Sequence, residues 1–402
     1  MKKCYLCEKL AVTELIDFGN QPVAHRFLKS KDEKEFLGPM VLGQCQHCAL
    51  VQQLDPMPVS ELKPRFGWLT RSEPERHLDD LVQTIIRLPG ITVDSKIWGV
   101  CWKEDTTLQR LNRLGYSNTH RLQLDADLGI KDPLADVETV QERFTLKQSA
   151  EIVKRRGKTD IVIARHLIEH AFDVKEFLKA IKNLLNPDGY LILEIPDCQR
   201  SMDYCDYTTI WEEHILYFTL ETFKATFAYG GFFLVDFIKE EYPLENSYIG
   251  IARINDDVEV KPLDALVLNQ EIDRARNFAS HLSVKSKEMK EYLTDYKSHH
   301  GKIAIVGAAH MCCAFVNLLN LKDCIEFAVD DNPNKKGMFL PGSRLPIYNF
   351  CALKEQGIKL CLLTLSVASE AKVLEKNQEF ISRGGIFKSI FTANPKAIGV
   401  GR

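Results

Sequence analysis

Two C-x-x-C pairs near the start of the chain, Cys4/Cys7 and Cys45/Cys48, constrain its folding more than any other feature. Each pair spans a tight turn that points both sulfurs the same way. Two such turns brought together supply four thiolates around one point, which suits Zn²⁺. The 37 residues from position 8 to position 44 exceed the gap of a minimal zinc ribbon, so this stretch must form a small subdomain. Four thiolates leave no open coordination position, and the metal is expected to be structural. Two chance pairs in a reduced protein, or a redox dithiol, are the competing readings. The other eight cysteines are scattered, mostly in apolar stretches, and suit core positions.

At ~100–200 residues per domain, 402 residues divide into roughly two to four units. Acids number 55 and bases 52, giving a formal charge of −3, which argues against a nucleic-acid partner held by bulk positive charge. No apolar run approaches the ~20 residues of a membrane span. The basic start, Met1-Lys2-Lys3, is followed by no apolar signal core. A cytoplasmic protein with no membrane contact is therefore expected.

Residues 1–75 read as the zinc-binding unit and a proline-containing connector, with strand-like pieces at Leu10–Phe18 and Met40–Gly43. From 76 to 257, strands alternate with helices. Lys96–Val100, His120–Leu124, Asp160–Ala164 and Tyr190–Ile195 read as strands. His77–Leu88, Thr107–Leu114, Leu146–Arg155 and Val174–Leu185 read as helices, the last closed by a turn at Asn186-Pro187-Asp188-Gly189. Residues 258–402 begin with a long helical stretch to 299. Further strands follow at Lys302–Val306, Ile325–Val329 and Lys359–Leu365. Such alternation predicts an α/β protein. A doubly wound parallel sheet occupies the middle, behind a small zinc-binding domain and ahead of a second α/β domain.

Four stretches together resemble the three-domain sugar C-methyltransferases, and they cover nearly the whole chain in order. The first is the paired C-x-x-C with Asp17-Phe18-Gly19-Asn20-Gln21-Pro22 between. The second runs from Asp160 through Arg165-His166 and Glu169-His170 to Gly189. The third is Trp211-Glu212-Glu213-His214-Ile215-Leu216-Tyr217-Phe218. The fourth is Val329-Asp330-Asp331-Asn332-Pro333 with Lys335 and Gly337. The resemblance implies a Rossmann-like methyltransferase domain and S-adenosylmethionine-dependent C-methylation of a nucleotide-linked 4-keto-deoxy sugar. A base removes a proton beside the ketone and the enolate takes the methyl group. His214 matches the base, Glu213 would support its charge, and His170 matches a second active-site histidine. Gly99, Asp105, Asp125 and His166 are the matched candidates for the cofactor.

The sequence departs from the family where the chemistry is expected. The family's E-I-G-S-N-D-G-x-L loop is here Val100-Cys101-Trp102-Lys103-Glu104-Asp105-Thr106-Thr107-Leu108, with Trp102 and Thr106 in place of glycines. Glycine lets backbone approach a ligand closely, and a tryptophan ring in that position is a steric objection. The family's catalytic tyrosine and first histidine are Trp211 and Glu212. A second reading follows: a methyltransferase-like protein that has lost the cofactor. It would bind a nucleotide sugar, serve as the partner subunit of another protein, or run a cofactor-free, epimerase-like reaction.

Overall fold

The computed structural model describes residues 1–69, 73–391 and 394–399. Three sheets organise the described residues. The first begins with β1 (Val12–Pro22), β2 (Leu37–Cys45) and β3 (Val51–Gln53), paired antiparallel in that order. Strand β1 runs beyond the stretch its sequence suggested, because Gly19 accommodates a bulge instead of ending it. Gly19 sits at φ +72° with its N–H on Asp17 Oδ1 at 2.7 Å, a backbone state that a side chain would strain.

The central sheet contains β4 (Ile97–Gly99), β5 (Thr119–Arg121), β6 (Thr159–Arg165) and β7 (Leu185–Pro196). Next in sequence, β8 (Leu216–Tyr217) leaves this sheet and pairs with β3, completing the first one. Strands β9 (Phe232–Glu240) and β10 (Ser247–Ile254) return, giving the order β5-β4-β6-β7-β10-β9. Pairings from β5 to β7 are parallel and those of β10 are antiparallel. The turn expected at residues 186–189 is instead a bulge inside β7. Thr159 pairs with Leu185 and Ile161 with Tyr190, so the four residues between are looped out of the ladder.

Alternation along these strands decides what each face covers. Ile97, Ile161, Ile163 and Ile192 pack under the helices Leu78–Ile85 and Asp105–Arg113. Trp98, Val162, Ala164, Leu191 and Leu193 pack against Ile152, Phe177 and Ile181 on the opposite side. Both faces are covered, which is why β6 and β7 read as near-continuous apolar runs.

The third sheet comprises β11 (Ile303–Val306), β12 (Ala328–Val329), β13 (Ile347–Tyr348), β14 (Leu360–Leu363) and β15 (Ile386–Ser389). It is wholly parallel, in the order β13-β12-β11-β14-β15. The 35-residue helix Ala265–His299 leads into it and buries Ala275, Phe278, Met289 and Leu293. That helix is also tied to the first sheet, through Gln44 Nε2 donating to the Glu271 carbonyl at 3.0 Å. Among the described residues, no helix is long and apolar enough to cross a membrane.

Candidate active site

The four cysteines converge. Cys4 and Cys48 sulfurs lie 3.6 Å apart, as do those of Cys7 and Cys45. Ligand atoms of all four lie within 4.8 Å of one another. A tetrahedron of Zn–S bonds at ~2.3 Å has sulfurs about 3.8 Å apart, whereas a disulfide needs ~2.05 Å. The residues fit a zinc ion and leave it no open position.

The histidines predicted for chemistry sit elsewhere, where the three sheets meet. The segment carrying Trp211, Glu212, Glu213 and His214 has no regular structure and is held from both sides. Gln53, buried on β3, places its Nε2 3.0 Å from the Glu212 carbonyl and 2.7 Å from that of His214. The Tyr217 hydroxyl donates to the Trp211 carbonyl at 2.9 Å, and Ile215 N–H donates to the Glu169 carbonyl at 2.7 Å. The central domain supplies His170, from a short turn after β6. Its ring meets that of His214 edge-on, with centroids 4.9 Å apart at 89°.

The neighbouring domains complete the cluster. His25, just after β1, pairs through Nδ1 with Glu213 Oε1 at 2.9 Å. The Ala24 N–H donates to Glu212 Oε1 at 2.5 Å. From the third domain, the His310 ring stacks on Trp211 with centroids 3.6 Å apart and planes within 10°. His310 Nε2 lies 3.1 Å from the Ile210 carbonyl and its Nδ1 3.5 Å from Glu212 Oε2. His170, His214 and Glu213 were expected together, and the structure brings them together. His25, His310 and Gln53 also belong to the site, although no local motif marks them. They lie in three separate stretches and share no local pattern, although His310 closes the Gly307-Ala308-Ala309-His310 turn.

Burial sets the protonation of this cluster. It lowers His170 and His214 to about 3 each, so both rings are neutral near pH 7. A carbonyl only accepts, so His170 Nδ1, 3.0 Å from the Glu213 carbonyl, carries the hydrogen and Nε2 keeps the lone pair. His214 Nδ1 is buried with no hydrogen-bond partner among the described residues. Burial, then the neighbouring Glu213 carboxylate, raises Glu212 to about 7. Two neutral imidazoles beside a half-ionised carboxyl make a local store for protons.

The residues predicted for the cofactor tell a different story. Strand order reverses between β4 and β6, and ligands of such sheets bind in the crevice beyond those strand ends. Here the Glu104 carboxylate fills the gap. It accepts from Cys101 N–H at 2.5 Å and from Arg165 N–H at 2.7 Å, linking the ends of β4 and β6 directly. Gly99 serves this side chain, since a Cβ on it would lie 2.6 Å from the Glu104 Cβ. Arg165, fully buried, pairs with Glu194 at 2.5 Å and donates to the Lys103 carbonyl at 2.7 Å. His166, at φ +47°, lies 2.9 Å from Glu73 Oε2 and 3.2 Å from Glu194 Oε1. Lys103 also pairs with Glu73, and His77 Nε2 reaches Glu194 Oε1 at 2.9 Å.

The four residues expected at the cofactor lie as follows. Gly99 makes room for Glu104 and not for a ligand. His166 is committed to carboxylates. Asp105 pairs with Arg121 at 3.0 Å. Asp125 is exposed beyond β5, while the buried acid there, Asp127, is taken by Arg156 at 2.7 Å and His120 at 3.0 Å. The expected steric objection also moves. Trp102 is 37% exposed and turns outward, its Nε1 donating to Asp136 at 2.9 Å, and Glu104 does the filling. The crevice residues do not fit S-adenosylmethionine.

Comparison with known proteins gives three family matches in sequence order. They are a zinc binding domain over residues 4–62, a methyltransferase domain over 86–236 and a C-methyltransferase C-terminal domain over 265–391. The C-methyltransferase NovU of Streptomyces niveus is 24% identical over 402 residues, spanning 96% of this chain and 94% of its own. Among solved structures, the 1,6-didemethyltoxoflavin-N1-methyltransferase of Burkholderia thailandensis is 14% identical with a TM-score of 0.30, over 45% of this chain and 78% of its own. A methyltransferase from Clostridium acetobutylicum is 10% identical with a TM-score of 0.29, over 46% of this chain and 93% of its own. At those scores neither solved structure adds weight. The domain set and its order do, and by them the chain belongs to the three-domain C-methyltransferases.

Proposed function

We propose that this protein binds a nucleotide-linked 4-keto-deoxy sugar where its three domains meet and removes the proton on the carbon beside the ketone. The observation that carries this reading is the buried, unpartnered Nδ1 of His214, set against the second neutral imidazole of His170. A ketone acidifies the neighbouring C–H, and a neutral imidazole accepts the proton while an enolate forms. The positive charge then left on His214 is favoured by Glu213, the largest influence opposing burial there. Glu212, raised to about 7, has a proton to offer the enolate oxygen near neutral pH. His25 fixes the Glu213 carboxylate, and the Trp211–His310 stack keeps water from the cluster.

The test is hydrogen exchange at carbon. The full-length, zinc-loaded protein is incubated in D₂O with a panel of nucleotide-linked 4-keto-6-deoxy sugars and no methyl donor, and the sugar is followed by NMR. Deuterium is expected beside the ketone of at least one sugar. His214→Gln should slow its entry by roughly the 10²–10⁴-fold typical of a lost general base. Glu213→Gln should slow it less. No exchange with any sugar, or equal exchange with His214→Gln, would count against the proposal.

A further inference from the structure

We infer that the crevice where this fold receives its methyl donor is sealed by the chain's own side chains, so the protein does not take up S-adenosylmethionine and its reaction returns the proton to carbon. The first half stands on the crevice itself; the second rests on the proposed function.

The seal has two layers. The inner one is Glu104, buried between Gly99 and Arg165. It uses the very N–H groups, of Cys101 and Arg165, that face the gap between β4 and β6. A carboxylate already bound by two backbone donors leaves none for the carboxylate or hydroxyls of an incoming ligand. The outer layer is the connector from the first domain. Glu73 bridges the buried Lys103 ammonium and His166, and Thr106 donates to Glu75 at 2.7 Å. His77 and Arg165 meet on Glu194 beneath. Burial alone would push Glu73 and Glu194 up. The cations beside them win and hold both carboxyls below their ordinary range. A sulfonium cation entering here would meet Lys103, Arg165 and His166, whose carboxylates are already engaged. To open the crevice would strand several buried charges at once, and a buried charge left without its partner is strongly unfavourable.

With the donor excluded, the atoms balance without it. The C–H bond beside the ketone breaks, its proton moves to His214, and the electron pair becomes the enolate. Return of a proton from His214 to that carbon restores the ketone, and exchange of the His214 proton with water in between leaves a solvent hydrogen at the carbon. Nothing is oxidised or reduced and no group is transferred.

The experiment uses the full chain, with its zinc content measured and a cooperative thermal transition as the check on folding. S-adenosylmethionine is titrated to 1 mM by calorimetry. Hydrogen–deuterium exchange of peptides covering residues 73–77 and 99–108 is recorded with and without it. The keto-sugar panel is then incubated with 1 mM donor in D₂O and the products weighed. No saturable heat, unchanged peptide protection and sugar that gains deuterium but no methyl group are expected. Binding with a Kd below 1 mM, altered protection of either peptide, or a methylated sugar overturns the inference. Sugar that gains neither deuterium nor methyl sinks the proton-transfer reading, while the two donor-binding readouts still decide the crevice.

Discussion

His170 and His214, held near 3 by burial, stay neutral in the folded protein while the unfolded chain titrates them at ~6.5. The unfolded state therefore binds more protons between pH 6.5 and 3, and stability falls as pH falls through that window. Each imidazole costs about 1.4 kcal/mol per pH unit below ~6.5. His170→Gln removes one of the two protons. Its urea midpoint relative to the parent is expected to improve as pH drops from 7 to 5.5, and an unchanged difference would show that the ring is not held neutral. A second residue-scale outcome concerns Gly99. A Cβ there meets Glu104 side-chain carbon at 2.6 Å, so Gly99→Ala must push Glu104 aside. A loss of about 1–3 kcal/mol in urea unfolding is expected. The sequence showed that the cofactor loop was altered but pointed at Trp102. A bulky ring is visible in one dimension, whereas a glutamate folding back onto its own strand end is a three-dimensional event.

At the scale of elements, strands buried on both faces were legible because their apolar runs are nearly continuous, as in Thr159–Arg165 and Tyr190–Ile195. The two-residue strand β8 carries too little sequence to announce itself, and its partner β3 lies in another domain. That pairing joins the zinc site to the histidines. Cys45 and Cys48 bracket the turn between β2 and β3, and Gln53 on β3 holds the carbonyls of Glu212 and His214. Stripping the metal with a chelator should therefore loosen more than the first sheet. Amide exchange of a peptide spanning residues 211–217 is expected to rise along with that of residues 40–53. Confinement of the change to residues 40–53 would show that the loop does not depend on the zinc unit.

Across the whole molecule, sequence divided the chain into three units, and packing joins them again. One apolar cluster includes Phe18, Tyr217 and Leu42 of the first sheet with Phe27 after β1, Tyr207 from the middle stretch of the chain, and Phe278, Phe315 and Leu340 beyond. Tyr207 also donates to the Phe278 carbonyl at 2.7 Å. Such long-range contact leaves no trace in local periodicity, which is why the three-domain character of the site was not readable from spacing. Calorimetry of the zinc-loaded chain is expected to show one cooperative transition. Separate transitions for the carboxyl-terminal domain and the rest would mean that the shared cluster contributes little.

The β3–β8 ladder also fixes an order of events during synthesis. Val51 waits for Tyr217. At ~5–20 residues per second, the chain between them takes roughly ten to thirty seconds to emerge from a ribosome. For that interval the first sheet is a metal-bound knot whose β3 edge, at Val51–Gln53, lacks its final partner and offers its backbone to any strand that passes. The nascent chain is thus most exposed to mispairing in the middle of its own translation, and the two residues that close the edge arrive just as the loop bearing His214 does.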